Sequence, residues 1–139
     1  MTAKEFLQRA READREIDRI VERLERTRAM VESGRMSRIT GMPRGGAQDW
    51  TRTADQLIEL ERVVNARMRE LIRWKLAAID AIRSVDKARL RRVLELYYID
   101  GYSWEDVAKR MRLCVRHVQR LHGIALLKVK VPEEVENSN

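Results

Sequence analysis

The stretch Ser103–Leu121, SWEDVAKRMRLCVRHVQRL, decides how this chain reads. Ser103 offers a hydroxyl helix cap, and Asp106 stands three residues on, at the carboxylate position of a capping box. Val107, Ala108 and Met111 then share one helical face. A break at Arg112-Leu113-Cys114 follows, and a second helix turns Val118, Leu121 and Ala125 inward at i, i+3 and i+7. Ala108 is small where two crossing helices come closest, Leu113 is apolar where it would plug the turn, and Cys114 is read as a small packing residue at the start of the second helix. The pattern predicts a helix-turn-helix, a unit that lays its second helix in a DNA major groove.

Working outward, the second helix turns Arg116, Gln119, Arg120 and Gly123 away from its apolar stripe. Arginine can bridge guanine N7 and O6, and glutamine can bridge adenine N6 and N7. Residues 107–130 hold seven basic side chains and no acidic one, whereas an ordinary solvated face mixes signs. His117 lies on a flank within reach of a phosphate or a base, and His122 points inward as a packing residue. Gly123, inside the helix, leaves room for close backbone approach to a partner. A preceding helix over about 86–99, capped by Ser84 or Asp86, carries Leu90, Val93, Leu94, Tyr97 and Tyr98 on its apolar face, and Asp100-Gly101 closes it. The resulting module spans 84–130, with helices over about 86–99, 103–111 and 114–128.

Charge separates this module from the rest. Residues 1–33 carry eight basic and eight acidic side chains, while 86–130 carry eleven and five. Most of the formal net charge of +7 therefore sits around the helix-turn-helix, which points to one anionic partner surface. Residues 131–139 reverse sign through Glu133, Glu134 and Glu136 and read as a disordered acidic tail.

The first half reads as a long helical hairpin or coiled coil over 1–83. Ala3, Phe6, Ala10, Ala13, Ile17, Ile20, Leu24, Thr27 and Val31 alternate by three and four, a heptad seam on a helix over about 2–33. Leu7, Val21 and Met30 widen one flank, as for a helix with more than one neighbour. Arg11, Arg15, Arg19 and Arg23 form a stripe that Glu12, Glu16 and Glu22 neutralise on the same helix, so it reads as a solvated face. A second helix runs over about 50–83 with Asp49 or Thr51 as its cap, and Glu61 and Lys75 interrupt its apolar stripe. Between them, the loop 34–48 contains Gly34, Gly41, Pro43, Gly45 and Gly46, which oppose regular structure. Its RGG lacks the Lys-Ser/Thr ending of a nucleotide-binding loop.

Composition excludes several classes. With 37% charged and 5% aromatic residues, the chain suits an all-α fold. No apolar run reaches the roughly 20 residues a membrane helix needs, and the first fourteen residues lack the apolar centre of a signal peptide. A single cysteine permits no internal disulfide and suits a reducing cytoplasm. There is no metal-spaced His/Cys cluster and no nucleophile–base pair, so neither an enzyme, a metal site nor a cofactor is expected.

The run Arg91–Leu126, RRVLELYYIDGYSWEDVAKRMRLCVRHVQRLHGIAL, resembles region 4 of the primary bacterial sigma factors, which reads the −35 promoter element. It is most similar to the small phage-encoded regulators of the RinA/ArpU type, which join such a module to an N-terminal helical part. YYIDGYSWEDVA and the RxVxRLHxxAL spacing carry the resemblance over about 40 residues, and the GMPRGG loop matches more loosely. Arg112 stands where the turn commonly has glycine, and Cys114 where it has serine or threonine. The resemblance implies that Val115, Arg116, His117, Gln119 and Arg120 read bases. It places Lys109, Arg110 and Arg112 on phosphates, a set that Ser103 and Lys128 complete. Nothing resembles sigma region 2. The expectation is therefore a DNA-binding transcriptional regulator in the host bacterial cytoplasm, with double-stranded DNA as its partner. Host RNA polymerase, or a second copy joined through the N-terminal helices, stand as protein partners. A small terminase subunit and a helical protein–protein adaptor stand as alternatives.

Overall fold

In the computed structural model, residues 1–39 and 47–136 are described, with side chains for 1–33 and 51–134. All the regular structure among the described residues is helical, and they contain no strand. In chain order the elements are α1 (Ala3–Ile39), α2 (Ala47–Arg83), α3 (Ala88–Leu94), α4 (Trp104–Met111), α5 (Val115–Lys128) and α6 (Glu133–Glu136). A π-helical turn over Glu95–Ile99 prolongs α3 without a break. None of the described helices is long and apolar enough to cross a membrane.

The chain divides into two compact units, and the division is not at residue 83. One unit joins Met1–Arg15 to Leu71–Asn139, and the other is Glu16–Glu70. The reason lies in the first turns of α1. Phe6, Leu7 and Ala10 are fully buried, and they share a core with Ala78 and Ile82 of α2, Leu90 and Leu94 of α3, Tyr98, and Ala125 of α5. The start of the heptad seam thus serves the C-terminal unit. Arg11 does so as well, and it is not part of a solvated stripe. Its Nε donates to the Tyr97 carbonyl at 3.0 Å and its Nη2 to the Tyr102 carbonyl at 3.4 Å, while the guanidinium lies 4.1 Å from the Tyr97 ring centroid. Glu16 likewise turns from its own helix to Arg67 of α2.

Within Glu16–Glu70, α1 and α2 run antiparallel. Arg28 meets Glu61 at 2.8 Å and Glu16 meets Arg67 at 2.9 Å, so partner numbers fall along α2 as they rise along α1. Glu61, which looked like an interruption of the apolar stripe, is an ion-pair position, and in the other unit Lys75 pairs in the same way with Asp14. Of the residues expected to widen the buried flank, Leu7 is fully buried, while Val21 and Met30 are exposed.

Both long helices run further than their sequence suggested. α1 continues through Gly34 to Ile39, and α2 begins at Ala47, ahead of the expected caps Asp49 and Thr51. One glycine costs a helix only ~1 kcal/mol, too little to stop a long one. The rest of the expected loop, including Gly41, Pro43, Gly45 and Gly46, lies outside the described residues. α3 starts after Lys87, not at Ser84 or Asp86. The tail also departs from expectation: Val131 packs against the first core and Glu133–Glu136 forms a helical turn.

α3 and its π turn are apolar on two sides. Leu90, Leu94 and Tyr98 face the core shared with α1. Val93 and Leu96 face a second core made with Val107 and Ala108 of α4 and Val118 of α5. The π turn is closed by the Asp100 N–H donating to the Glu95 carbonyl at 2.9 Å. Leu94 and Tyr98, four residues apart, lie on one side and Leu96 on the other. Phe6→Ala should lower the unfolding free energy of the C-terminal unit by about 3–5 kcal/mol, read from urea titrations of the α5 region; a loss as small as that of a surface change would place α1 outside that core.

Candidate nucleic-acid interface

α4 begins as its sequence demands. Ser103 is extended, at φ −69° and ψ 163°, and its Oγ accepts the Asp106 N–H at 3.2 Å. α4 ends at Arg112, which adopts φ 57° and ψ 43° and is the one non-glycine residue at positive φ among the described residues. There the Leu113 N–H donates to the Ala108 carbonyl at 3.0 Å and the Arg112 N–H to the Lys109 carbonyl at 3.2 Å, which together form a Schellman motif. Leu113 folds back onto the second core beside Ala108. Holding a non-glycine residue left-handed costs about 1 kcal/mol. The two hydrogen bonds and the Leu113 contact offset it.

Cys114 caps α5 in extended geometry but makes no side-chain cap hydrogen bond, and it is exposed. The packing role expected for it is not observed. Small size matters there only because the chain must reverse.

α5 is anchored by Val118 and Ala125, both fully buried, with Leu121 half-buried between them. Behind the helix lies an aromatic group. Tyr97 stacks on Trp104 with ring centroids 3.8 Å apart, and the Trp104 edge meets His122 at 4.7 Å. Tyr98 Oη and His122 Nε2 are 2.6 Å apart, a hydrogen bond between the neutral phenol and the neutral imidazole. Burial pushes the Tyr98 hydroxyl well above its ordinary range and the His122 imidazole down to about 4, with Lys4 adding repulsion at His122. The inward, packing role read for His122 agrees with this placement.

The opposite side of α5 is open. Arg116, Gln119, Arg120 and Gly123 are exposed, and a Cβ built on Gly123 meets nothing within 4 Å. The helix runs unbroken through Gly123 to Lys128. His117 is half-buried on a flank, and Val115 is partly buried against the second core, so it anchors the first turn as well as bordering the open face. Ser103, Lys109, Arg110, Arg112 and Lys128 are all exposed, and Arg110 also lies 4.1 Å over the Tyr102 ring. The stripe that Arg116, Gln119 and Arg120 begin continues into Ile124 and the strongly exposed Leu127. Those two apolar side chains escaped the sequence reading, which weighed only polar chemistry on that face.

Two measurements probe this scaffold. His122 stays neutral in the folded chain down to about pH 4, whereas an unfolded imidazole binds its proton near pH 6.5. Stability contributed by neutral His122 is therefore full above pH 6.5 and lost as pH falls towards 4, on the order of 1–2 kcal/mol given its partial exposure. Urea titrations across that range should show the slope, and His122→Gln should flatten it. Cys114→Ser should supply the missing cap oxygen and raise stability by about 0.5–1 kcal/mol; an unchanged melting temperature would mean that the cap is already satisfied by solvent. Set against protein-family models, curated proteins and solved structures, the chain matches none of them.

Proposed function

We propose that this chain is a sequence-specific DNA-binding transcriptional regulator, phage-encoded, whose α4–turn–α5 pair acts as a helix-turn-helix. α5 lies in the major groove of a −35-like promoter element. Arg116 and Arg120 read guanine, Gln119 reads adenine, and Ser103, Lys109, Arg110, Arg112 and Lys128 hold phosphates on either side.

One observation carries this reading. The exposed face of α5 is a row of side chains chemically suited to reading bases, Arg116, Gln119 and Arg120, set on a helix whose other face is buried, in a stretch with seven basic and no acidic residues. The Schellman turn at Arg112 supports it, because it fixes the α4–α5 connection without a long loop. Bare Gly123 supports it too, since a backbone without Cβ admits close approach of a DNA strand. The likeness of Arg91–Leu126 to sigma region 4 supplies the promoter, and the RinA/ArpU likeness supplies the phage origin and host RNA polymerase as a partner.

Selection from random duplexes, followed by titration of the winner, tests the reading. A defined site should emerge, with affinity falling steeply as salt rises. Arg116→Ala with Arg120→Ala should reduce affinity for that site by about ten- to a hundredfold and leave binding to random DNA nearly unchanged. Lys109→Ala should weaken all duplexes alike and lower the salt slope by about one. If no sequence is enriched, or if the double variant still discriminates, α5 does not read bases.

A further inference from the structure

Between Glu16 and Glu70 the described residues form a helical pair, and among their described side chains, in 16–33 and 51–70, none is buried. The seam residues Ile17, Ile20, Leu24, Leu57, Val64 and Met68 are only half-covered. Beyond the seam, Ile58 is 64% exposed, Val63 56% and Val21 37%. Two helices with a half-wet seam bury little apolar surface against each other.

One side of the pair is patterned. At about 100° per residue, Val21 shares its face of α1 with Asp18, Glu25 and Glu32, while Ile58 shares its face of α2 with Arg62, Asn65 and Arg69. All of these side chains are exposed. Because α1 and α2 are antiparallel about a seam marked by Glu16–Arg67 and Arg28–Glu61, both faces open to the same side of the pair. Apart from the Arg28–Glu61 pair at its edge, that side is acidic along α1 and basic along α2, where Arg62 also holds Glu59 at 2.7 Å. The same register puts Asp18 level with Arg69, and Glu25 level with Arg62.

We propose that a second copy of this chain covers this side, related by a twofold axis parallel to the helices. Each α1 then lies antiparallel against the partner copy's α2, and the four helices form a bundle. Asp18 and Glu25 of one copy face Arg69 and Arg62 of the other, twice over, around a centre of Val21 and Ile58. Charge complementarity selects the occupant. The acidic row excludes nucleic acid, and the chain itself carries the matching basic row at the matching level. Residues 16–70 hold eleven basic and ten acidic side chains, a nearly neutral balance that tolerates self-association, while the rest of the chain keeps most of the positive charge. The dimer does not depend on α5 reading DNA.

Light scattering on the full chain should give twice the 16.4 kDa chain mass. Asp18→Arg with Glu25→Arg makes both rows basic, and Arg62→Glu with Arg69→Glu makes both rows acidic. Each variant alone should keep its helicity by circular dichroism and dissociate at least about tenfold more readily. Mixed one to one, they should regain a heterodimer. As a variant that leaves charge alone, Ile58→Gln should also weaken the dimer while preserving helicity. A wild-type chain that stays monomeric at the highest concentration reached overturns the proposal and leaves the face to a different protein. Charge-swapped variants that dimerise as well alone as when mixed, or an Ile58→Gln chain as tightly dimeric as wild type, overturn it too.

Discussion

The C-terminal unit depends on a single demand placed on α3 and its π turn: twelve residues must be apolar on two sides at once. Tyr98 and Leu94 meet Phe6 and Leu7 on one side, and Leu96 and Val93 meet Val107 and Val118 on the other. One helix serves both sides because Leu94 and Tyr98 lie on a different arc from Val93 and Leu96, and Arg11 holds the end of this support by binding the carbonyls of Tyr97 and Tyr102. The angle at which α4 and α5 leave this support is therefore tied to the first three turns of the chain. A change at Arg11 or Phe6 acts on α5 through packing, at a distance from any partner of α5.

The region most legible in the sequence was the one with the most local punctuation. Ser103, Gly101, Arg112 and Cys114 mark ends by backbone chemistry that does not depend on distant residues, and α4 begins and ends, and α5 begins, where those residues place them. The left-handed Arg112 stands where the resembling turns commonly have glycine. The apolar stripe of α5 was equally readable, and so was the exposed row of Arg116, Gln119 and Arg120.

What was not legible required knowledge of partners. The seam from Ala3 to Val31 has one spelling throughout, yet Phe6, Leu7 and Ala10 are completely buried while Leu24 and Val31 are half-covered. Periodicity reports that a face is covered and is silent on what covers it. Arg11 was indistinguishable from Arg15, Arg19 and Arg23 because its distinction lies in carbonyls more than eighty residues away. Leu96 was passed over because a helical wheel sets it off the stripe read as apolar, on the side that α4 and α5 cover. Gly34 was overweighted because a propensity cost was treated as a stop.

The union of the first fifteen residues with residues 71–136 has a consequence for how the chain matures. Phe6 and Leu7 are synthesised before the surfaces that enclose them, on Leu90, Tyr98 and Ala125. Contacts this far apart in sequence close late and slowly. During synthesis the apolar start of α1 precedes every element that encloses it, α2, α3 and α5 in turn. The unit that carries the exposed row of α5 is thus also the unit whose folding joins Met1–Arg15 to residues 71–136, and its core is complete only with Ala125 of α5 in place.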